Sequence, residues 1–465
     1  MLVCEEGDSM RTKDDSTDVL RDFLKYVSFN ILGQCAYSCY TLADTFFVSS
    51  SLGTKGLTAL NLAFPVFCFL SGTGLMIGMG GGIRYSVLKS CGRHDRADRV
   101  FTNAVYALAC FAVAYTLAGL FCSGQIVRLL GADDTVFQMT NTYLRVMLLF
   151  SPAFLLNNLL QCFVRNDGNP SLSMAAMIIG SFSNVVLDYI FIFPMRMGIL
   201  GAILATGMAP LISMAVLSSC FIKRKNRFHL VRCGFGGKRT AEILFNGVPS
   251  LITEASSGIV MVVFNFIILR LRGNVGVAAY GVIAAISLVA VAIYTGLSQG
   301  IQPIISRCYG RGRTREVKLV LKYAVVTMLL LSGMIYEVLF FCASPIVLVF
   351  NSEGDKVLQQ IAVTGLKLYF MACPLMGGNI VLSTYFSATE HPGPAQAISL
   401  LRGFFLLIPT AFLFSVLFGM AGVWCAFPFT ELATVLLGIM LYAAERKREA
   451  KKETGELKTD NYGIK

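Results

Sequence analysis

Twelve stretches of this 465-residue chain are apolar for about twenty residues or more, and no other feature limits its fold so strongly. They lie at roughly 24–50, 57–83, 101–122, 138–163, 172–193, 199–222, 243–269, 276–304, 320–343, 358–384, 396–418 and 422–444. A helix rises about 1.5 Å per residue, so about twenty residues cross ~30 Å of hydrocarbon. In lipid only helices and closed barrels satisfy their own backbone polar groups. A barrel strand would be about ten residues long and alternate in polarity, which these runs do not. The expected fold class is an all-α polytopic membrane protein. Charged residues make up 14% of the chain, against about a quarter in soluble domains.

The net charge is +12, and where those cations sit gives the topology. The even-numbered connections and the two tails hold 29 Lys and Arg, seven of them in the central loop (Lys223, Arg224, Lys225, Arg227, Arg232, Lys238 and Arg239). The odd-numbered connections hold six: Lys55, Arg128, Arg196, Arg270, Arg272 and Lys356. This asymmetry places both termini and the central loop in the cytoplasm, with the chain in the cell membrane. It also argues against nucleic acid as a partner, because the basic residues form no soluble face. Residues 1–22 carry seven carboxylates and no apolar core, so they read as a tail rather than a cleavable signal.

The two halves repeat. A shift of 220 sets Gly53 on Gly273, Gly80 on Gly300, Gly92 on Gly312 and Arg93 on Arg313. A shift of 222 pairs Pro152 with Pro374, Asn157 with Asn379 and Pro170 with Pro392, and a shift of 221 pairs Gly198 with Gly419. Each half has an even number of spans, so the halves run parallel, as in secondary transporters whose substrate path lies between them. The expected organisation is a cytoplasmic tail (1–23), a six-helix N-lobe (24–222), a linker (223–242) across which the lobes can rock, a six-helix C-lobe (243–444) and a second tail (445–465).

Ionisable residues within spans are expensive and therefore informative. Tyr40 and Asp44 are four residues apart, as are Asn184 and Asp188, which gives two helix faces that each carry a carboxylate and a hydrogen-bonding neighbour. Two carboxylates that meet in low dielectric hold a proton or a cation between them. The bland alternative is that both sit at span ends and meet headgroups. Glu254 is expected a few residues into the seventh span, with Pro249 marking the helix start and Gln34 as its repeat mate; it is read either as a second-lobe ligand or as a carboxylate reaching the inner interface. Glu337 and Glu431 have no polar partner at helical spacing. Pro65, Pro152, Pro303, Pro374, Pro409 and the run Gly78–Gly82 are expected bending points or close-packing sites. The fourteen cysteines form no CxxC, and the three histidines are scattered, so no metal site or cofactor is expected. There is no GxxxxGK[ST], nucleophile elbow or HExxH, which excludes ATP hydrolysis by this chain and the common hydrolases.

Several stretches resemble one family. Ala43-Asp44-Thr45-Phe46-Phe47-Val48 with Asn61-Leu62-Ala63-Phe64-Pro65 looks like the first two helices of MATE (multidrug and toxic compound extrusion) transporters. Phe163-Val164-Arg165-Asn166-Asp167-Gly168-Asn169-Pro170, then Asn184-Val185-Val186-Leu187-Asp188, looks like their fourth loop and fifth helix. Gly201-Ala202-Ile203-Leu204-Ala205-Thr206 resembles the sixth helix, and Gln299-Gly300-Ile301-Gln302-Pro303 the eighth. The similarity covers roughly 20–445 and is nearest the MepA- and DinF-related bacterial branch. It implies a V-shaped pair of six-helix lobes, and a monomer that needs no protein partner. Such a protein exports cationic amphipathic compounds in exchange for H⁺ or Na⁺. It further implies that Tyr40, Asp44, Asn184, Asp188 and Thr206 form the N-lobe coupling-ion cluster. Glu254, Gln34, Gln299, Gln302 and Asn157 are the candidates for a substrate or second-lobe site. Arg165 and Pro170 match the family's loop as structural residues. Thr389-Glu390-His391-Pro392 stands where the family usually has a glycine-bearing turn.

Three other functions compete with this one. A lipid-linked oligosaccharide flippase of the same superfamily would carry a cationic cavity, whereas the charges within these spans are mainly acidic. A membrane-embedded enzyme or receptor would need a catalytic motif that is missing, and a passive channel would have no use for a two-lobe repeat with a buried acid pair. The N-lobe concentration of acid favours H⁺ as the coupling ion.

Overall fold

A computed structural model describes residues 14–453, apart from Lys225, Ser352 and Glu353. The tail residues 1–13 and 454–465, which entered the charge count, lie outside the described residues. Every regular element among the described residues is helical. Helices α1 (14–52) and α2 (54–90) follow one another directly and are parted by a reversal at Gly53. They are followed by α3 (His94–Phe121), α4 (134–166), α5 (Pro170–Ile192) and α6 (Ile199–Ile222). The second half repeats the plan: α7 (237–272) and α8 (274–310) broken at Gly273, α9 (Thr314–Phe341), α10 (356–388), α11 (392–418) and α12 (420–453) broken at Gly419. Short helices Ser123–Leu129 and Ala343–Phe350 occupy the same place in each half. The result is twelve spans in two parallel six-helix lobes.

The repeat is written in the backbone. Gly53 (φ 59°, ψ −149°) and Gly273 (61°, −155°) make matching reversals, as do Gly198 (61°, −136°) and Gly419 (60°, −136°). These left-handed torsions suit glycine, which has no Cβ to clash. Span α4 bends by 49° between its segments Asp134–Leu149 and Ser151–Asn166, next to Pro152. Its counterpart α10 breaks at the 3-10 turn Phe370–Ala372, next to Pro374. Proline removes a helical donor and crowds the preceding turn. Asp133 and Asp355 cap these two spans, each accepting the backbone N–H groups two and three residues on. The hydrogen bonds from Thr135 and Val136 hold the exposed Asp133 carboxyl below its ordinary pKa.

Helix ends differ from those expected. α1 starts ten residues earlier than the apolar run because Val19, Phe23, Tyr26 and Val27 form a buried stripe at helical spacing. α7 starts at Gly237 rather than 243, so Pro249 lies within the helix and does not mark its start. Glu254 therefore sits seventeen residues into α7, roughly 25 Å along its axis. The run Gly78–Gly82 does not bend α2. It packs instead: a Cβ at Gly80 would strike the Ile243 carbonyl of α7, and one at Gly247 the Met76 carbonyl of α2. Gly300 leaves equally little room against Val27 of α1, where a Cβ would lie 2.7 Å from Cα. The lobes thus touch backbone to backbone at the end of the molecule that carries the termini and most of the basic turns, here termed the basic face.

Two cores follow from this arrangement. One draws on residues 48–243, the other on 264–426 together with Val19, Phe23, Tyr26, Val27 and Val87 of the first half. The start of α1 belongs to the opposite lobe's core, which ties the halves at the basic face.

Candidate functional site

Within the N-lobe, Asp44 on α1 and Asp188 on α5 face each other. Their carboxyls are close enough to interact directly. Asp44 is 7% exposed and Asp188 0%, so neither meets headgroups. Asn184, one turn below Asp188, satisfies both neighbours when its amide is turned so that the nitrogen donates to Asp188 Oδ2 at 3.0 Å and the oxygen accepts from the Thr206 backbone N–H at 3.2 Å. The Thr206 hydroxyl donates to the Ala202 carbonyl at 3.0 Å. Tyr40 lies one turn before Asp44, with its ring edge-on to Tyr37 at 4.9 Å between centroids. All five residues expected from the sequence come together.

One neighbour escaped the sequence reading. Tyr143 of α4 is buried close to both carboxylates and to Thr206. It carries no charge and lies in an apolar run, so nothing in its local spacing marks it. Asp44 Oδ1 and Asp188 Oδ1 are buried with no hydrogen-bond partner among the described residues. Two orphan carboxylate oxygens ringed by hydroxyl and amide groups suit a proton or a small hard cation. They do not suit a soft metal.

The second set of candidates is spread more widely. Glu254 is half-buried and packs beside Gly72 of α2, close to Tyr37 and Cys68. It therefore faces the N-lobe from across the interface. Gln34 is half-buried on α1 and shares no hydrogen bond with it. Asn157 accepts from Gln161, which also reaches Ser213 of α6. Gln299 and Gln302 of α8 both hydrogen-bond across the lobes. Arg165 Nη1 donates to Gln299 Oε1 at 2.6 Å and to Asn30 Oδ1 at 3.2 Å. Asn166 and Gln302 exchange a reciprocal amide pair, 3.1 Å each way.

Next to this seal on the basic face, Arg84 of α2 bridges Glu390 of the α10–α11 turn (2.6 Å) and Glu242 of α7 (3.1 Å). Lys89 pairs with Asp167, and Arg307 with Asp22. In the C-lobe, Glu431 is 1% exposed yet fully paired. Arg402 donates to its Oε1 (2.8 and 3.1 Å) and Asn379 to its Oε2 (2.6 Å). These partners come from α10 and α11, which explains why helical spacing around Glu431 gave no sign of them. Arg402 sits on a π-helical turn, Leu401–Phe405, that swings it toward α12.

Comparison with known proteins fixes the family. The MatE family model matches the chain twice, over residues 30–190 and 249–413, once per lobe. The chain belongs to the MatE family. A relative of this MatE protein is the multidrug export protein MepA of Staphylococcus saprophyticus subsp. saprophyticus, 24% identical over 439 residues, covering 93% of this chain and 96% of that protein. Among solved structures, a MATE transporter in complex with MaL6 superposes with a TM-score of 0.87 at 22% identity, covering 95% of this chain and 100% of the other. The outward-facing conformation of a multidrug resistance MATE transporter of the MOP superfamily gives 0.86 at 22%, covering 96% and 100%. The chain is thus a MepA-related, multi-pass membrane transporter and not an enzyme.

Proposed function

We propose that this MatE protein is a secondary efflux transporter that exports cationic amphipathic compounds in exchange for protons, by alternating access of its two lobes. The buried, closely facing Asp44–Asp188 pair carries this reading. Buried carboxylates in a membrane span are costly unless protonated or paired, so a pair sharing a proton loads and discharges as its surroundings change. A cationic substrate entering between the lobes favours the doubly ionised pair, and a returning proton favours its neutral partner. Binding of substrate and proton is then mutually exclusive, which is the requirement for exchange. Tyr40, Tyr143, Asn184 and Thr206 orient the two carboxyls. Glu254 faces the same cleft from α7 and offers the substrate a second negative charge. Cationic cargo is favoured over a lipid-linked oligosaccharide because Asp44 Oδ1 and Asp188 Oδ1 are buried carboxylate oxygens without a partner among the described residues, while Arg84 and Arg402 are paired with carboxylates.

The excess of Lys and Arg on the basic face makes that face cytoplasmic. The Arg84 bridge and the Arg165–Gln299 and Asn166–Gln302 bonds then seal the cytoplasmic side, as an outward-facing resting state requires. The protein acts as a monomer in the cell membrane, with no cofactor beyond the coupling ion. The test is ethidium movement in proteoliposomes under an imposed pH gradient and, separately, an imposed Na⁺ gradient, with Asp188→Asn beside the wild type. Movement driven by the pH gradient and lost in Asp188→Asn supports the proposal. Movement driven only by Na⁺ would change the ion, and transport unaffected by Asp188→Asn would overturn the site.

A further inference from the structure

The segment between α6 and α7 was expected to be a tether that lets the lobes rock. The structure shows it pinned to the α4–α5 turn at Asp167 and strapped along α3. Arg227 N–H donates to Asp167 Oδ2 (2.8 Å), His229 N–H to Asp98 Oδ1 (3.0 Å), Val231 N–H to Thr102 Oγ1 (3.1 Å) and Gly236 N–H to Asn103 Oδ1 (2.8 Å). The Tyr106 hydroxyl donates to the Cys233 carbonyl at 3.3 Å. Phe228 is 0% exposed, its ring packed among Tyr85, Phe101, Phe163 and Phe221.

Three observations say what the strap's outer side meets. The first is depth. The last charged residue of α3 is Arg99, and the helix is apolar beyond it. Thr102 and Asn103 lie roughly 5 Å further along the axis, so the strap runs past the charged end of the span and alongside its apolar part. The second is composition. With its backbone held against α3, the strap turns the large apolar side chains of Leu230 (67% exposed) and Phe235 (60% exposed) outward beside the apolar part of the span. The third is charge. Residues 223–240 contain no carboxylate. Lys223, Arg224, Arg232, Lys238 and Arg239 are exposed and belong to none of the ion pairs among the described residues.

From this juxtaposition of outward Leu230 and Phe235 with five unpaired cations at the edge of the apolar span, we infer that the strap is a lipid-binding element that docks anionic phospholipid of the adjoining leaflet. The two apolar side chains enter the acyl boundary, and the guanidinium and ammonium groups hold headgroup phosphates. Arginine suits phosphate because its fork donates two parallel hydrogen bonds. Clusters of four to eight basic residues beside a transmembrane helix attract anionic lipid in general. Here the backbone pinning fixes Leu230, Arg232 and Phe235 on the N-lobe, while Lys238 and Arg239 open α7 of the C-lobe.

The test places a fluorescent reporter in the strap. Phe235→Trp protein is reconstituted in phosphatidylcholine vesicles containing a minor fraction of phosphatidylglycerol. Bromine is carried on the acyl chains of one lipid or the other at the same mole fraction, and the wild type, whose single Trp424 is buried, supplies the background. The added emission is expected to be quenched about two-fold or more strongly by brominated phosphatidylglycerol than by brominated phosphatidylcholine. That preference is expected to vanish when Arg224, Arg232, Lys238 and Arg239 are all replaced by Gln, with the protein still monodisperse. No quenching by either lipid would place the strap in water and overturn the inference. Equal quenching by both lipids, or a preference that survives the Gln replacements, would overturn the phosphate contacts.

Discussion

Arg84 Nη1 lies 2.6 Å from Glu390 Oε1, and the contact crosses from one lobe to the other. Glu390 holds a left-handed backbone (φ 58°) at the place where the first half has Gly168 (φ 99°), 222 residues earlier. A non-glycine residue in that region costs about 1–2 kcal/mol. The second half accepts this cost, and the carboxylate it places there closes the basic face.

The Arg84 contact can be separated from the backbone. Glu390→Gly relieves the left-handed strain but removes the carboxylate, leaving Arg84 only Glu242. The variant is expected to fold as stably as the wild type while shifting the closed-to-open ratio of the basic face by about ten-fold, ~1.4 kcal/mol. Spin-label distances between the α2–α3 and α10–α11 turns would report the shift. Unchanged distances would show that the bridge is incidental to closure.

Gly247→Ala acts on the same closure through packing. The added methyl meets the Met76 carbonyl, which has no rotamer to yield. Overpacking of this kind costs about 1–3 kcal/mol. The same spin-label distances should lengthen, and Tm should fall. Gly393→Ala, where a Cβ meets nothing within 4 Å, should do neither.

The Arg402–Glu431 pair is expected to behave as a buried ion pair. Arg402→Met strands a carboxylate that is 1% exposed and should destabilise the protein by about 3–5 kcal/mol. Removing both charges in Arg402→Met with Glu431→Met should recover most of that loss. Thermal unfolding of the two variants decides it. A double variant no better than the single one would mean that the pair is not a self-contained unit.

Asp44→Asn, Asp188→Asn and the double variant should lose gradient-driven transport to nearly the same extent, because groups that act as a unit are not additive. Tyr143→Phe should retain transport at a reduced rate, since it leaves the acids in place and removes one hydroxyl. Initial rates of dye movement measure this. Additive losses would mean that the carboxylates work separately.

The fold was legible because lipid imposes it. Runs such as 199–222 or 422–444 can only be helices there, and the 220–222 offset pairs the four glycines at which the backbone reverses. Where helices extend past the apolar runs, composition hid it. Residues 14–23 and 237–242 are polar enough to read as tail and linker, and they are helical because Val19, Phe23 and Ile243 find cores to enter. The Asp44–Asp188 site was legible from charge at helical spacing. Tyr143, Arg402 and Asn379 were not, since each gains its meaning from a residue on another helix. The strap reads as a plain basic loop until the hydrogen bonds of Thr102 and Asn103 show where its backbone lies.

The central claim is that the Asp44–Asp188 pair exchanges a proton for a cationic substrate. It is tested most directly by mixing purified protein with ethidium in weakly buffered detergent solution and recording proton release. The account expects about one proton per bound cation from the wild type, and none when Asp44→Asn and Asp188→Asn are combined. Binding without proton release from the wild type, or equal release from the double variant, would contradict it.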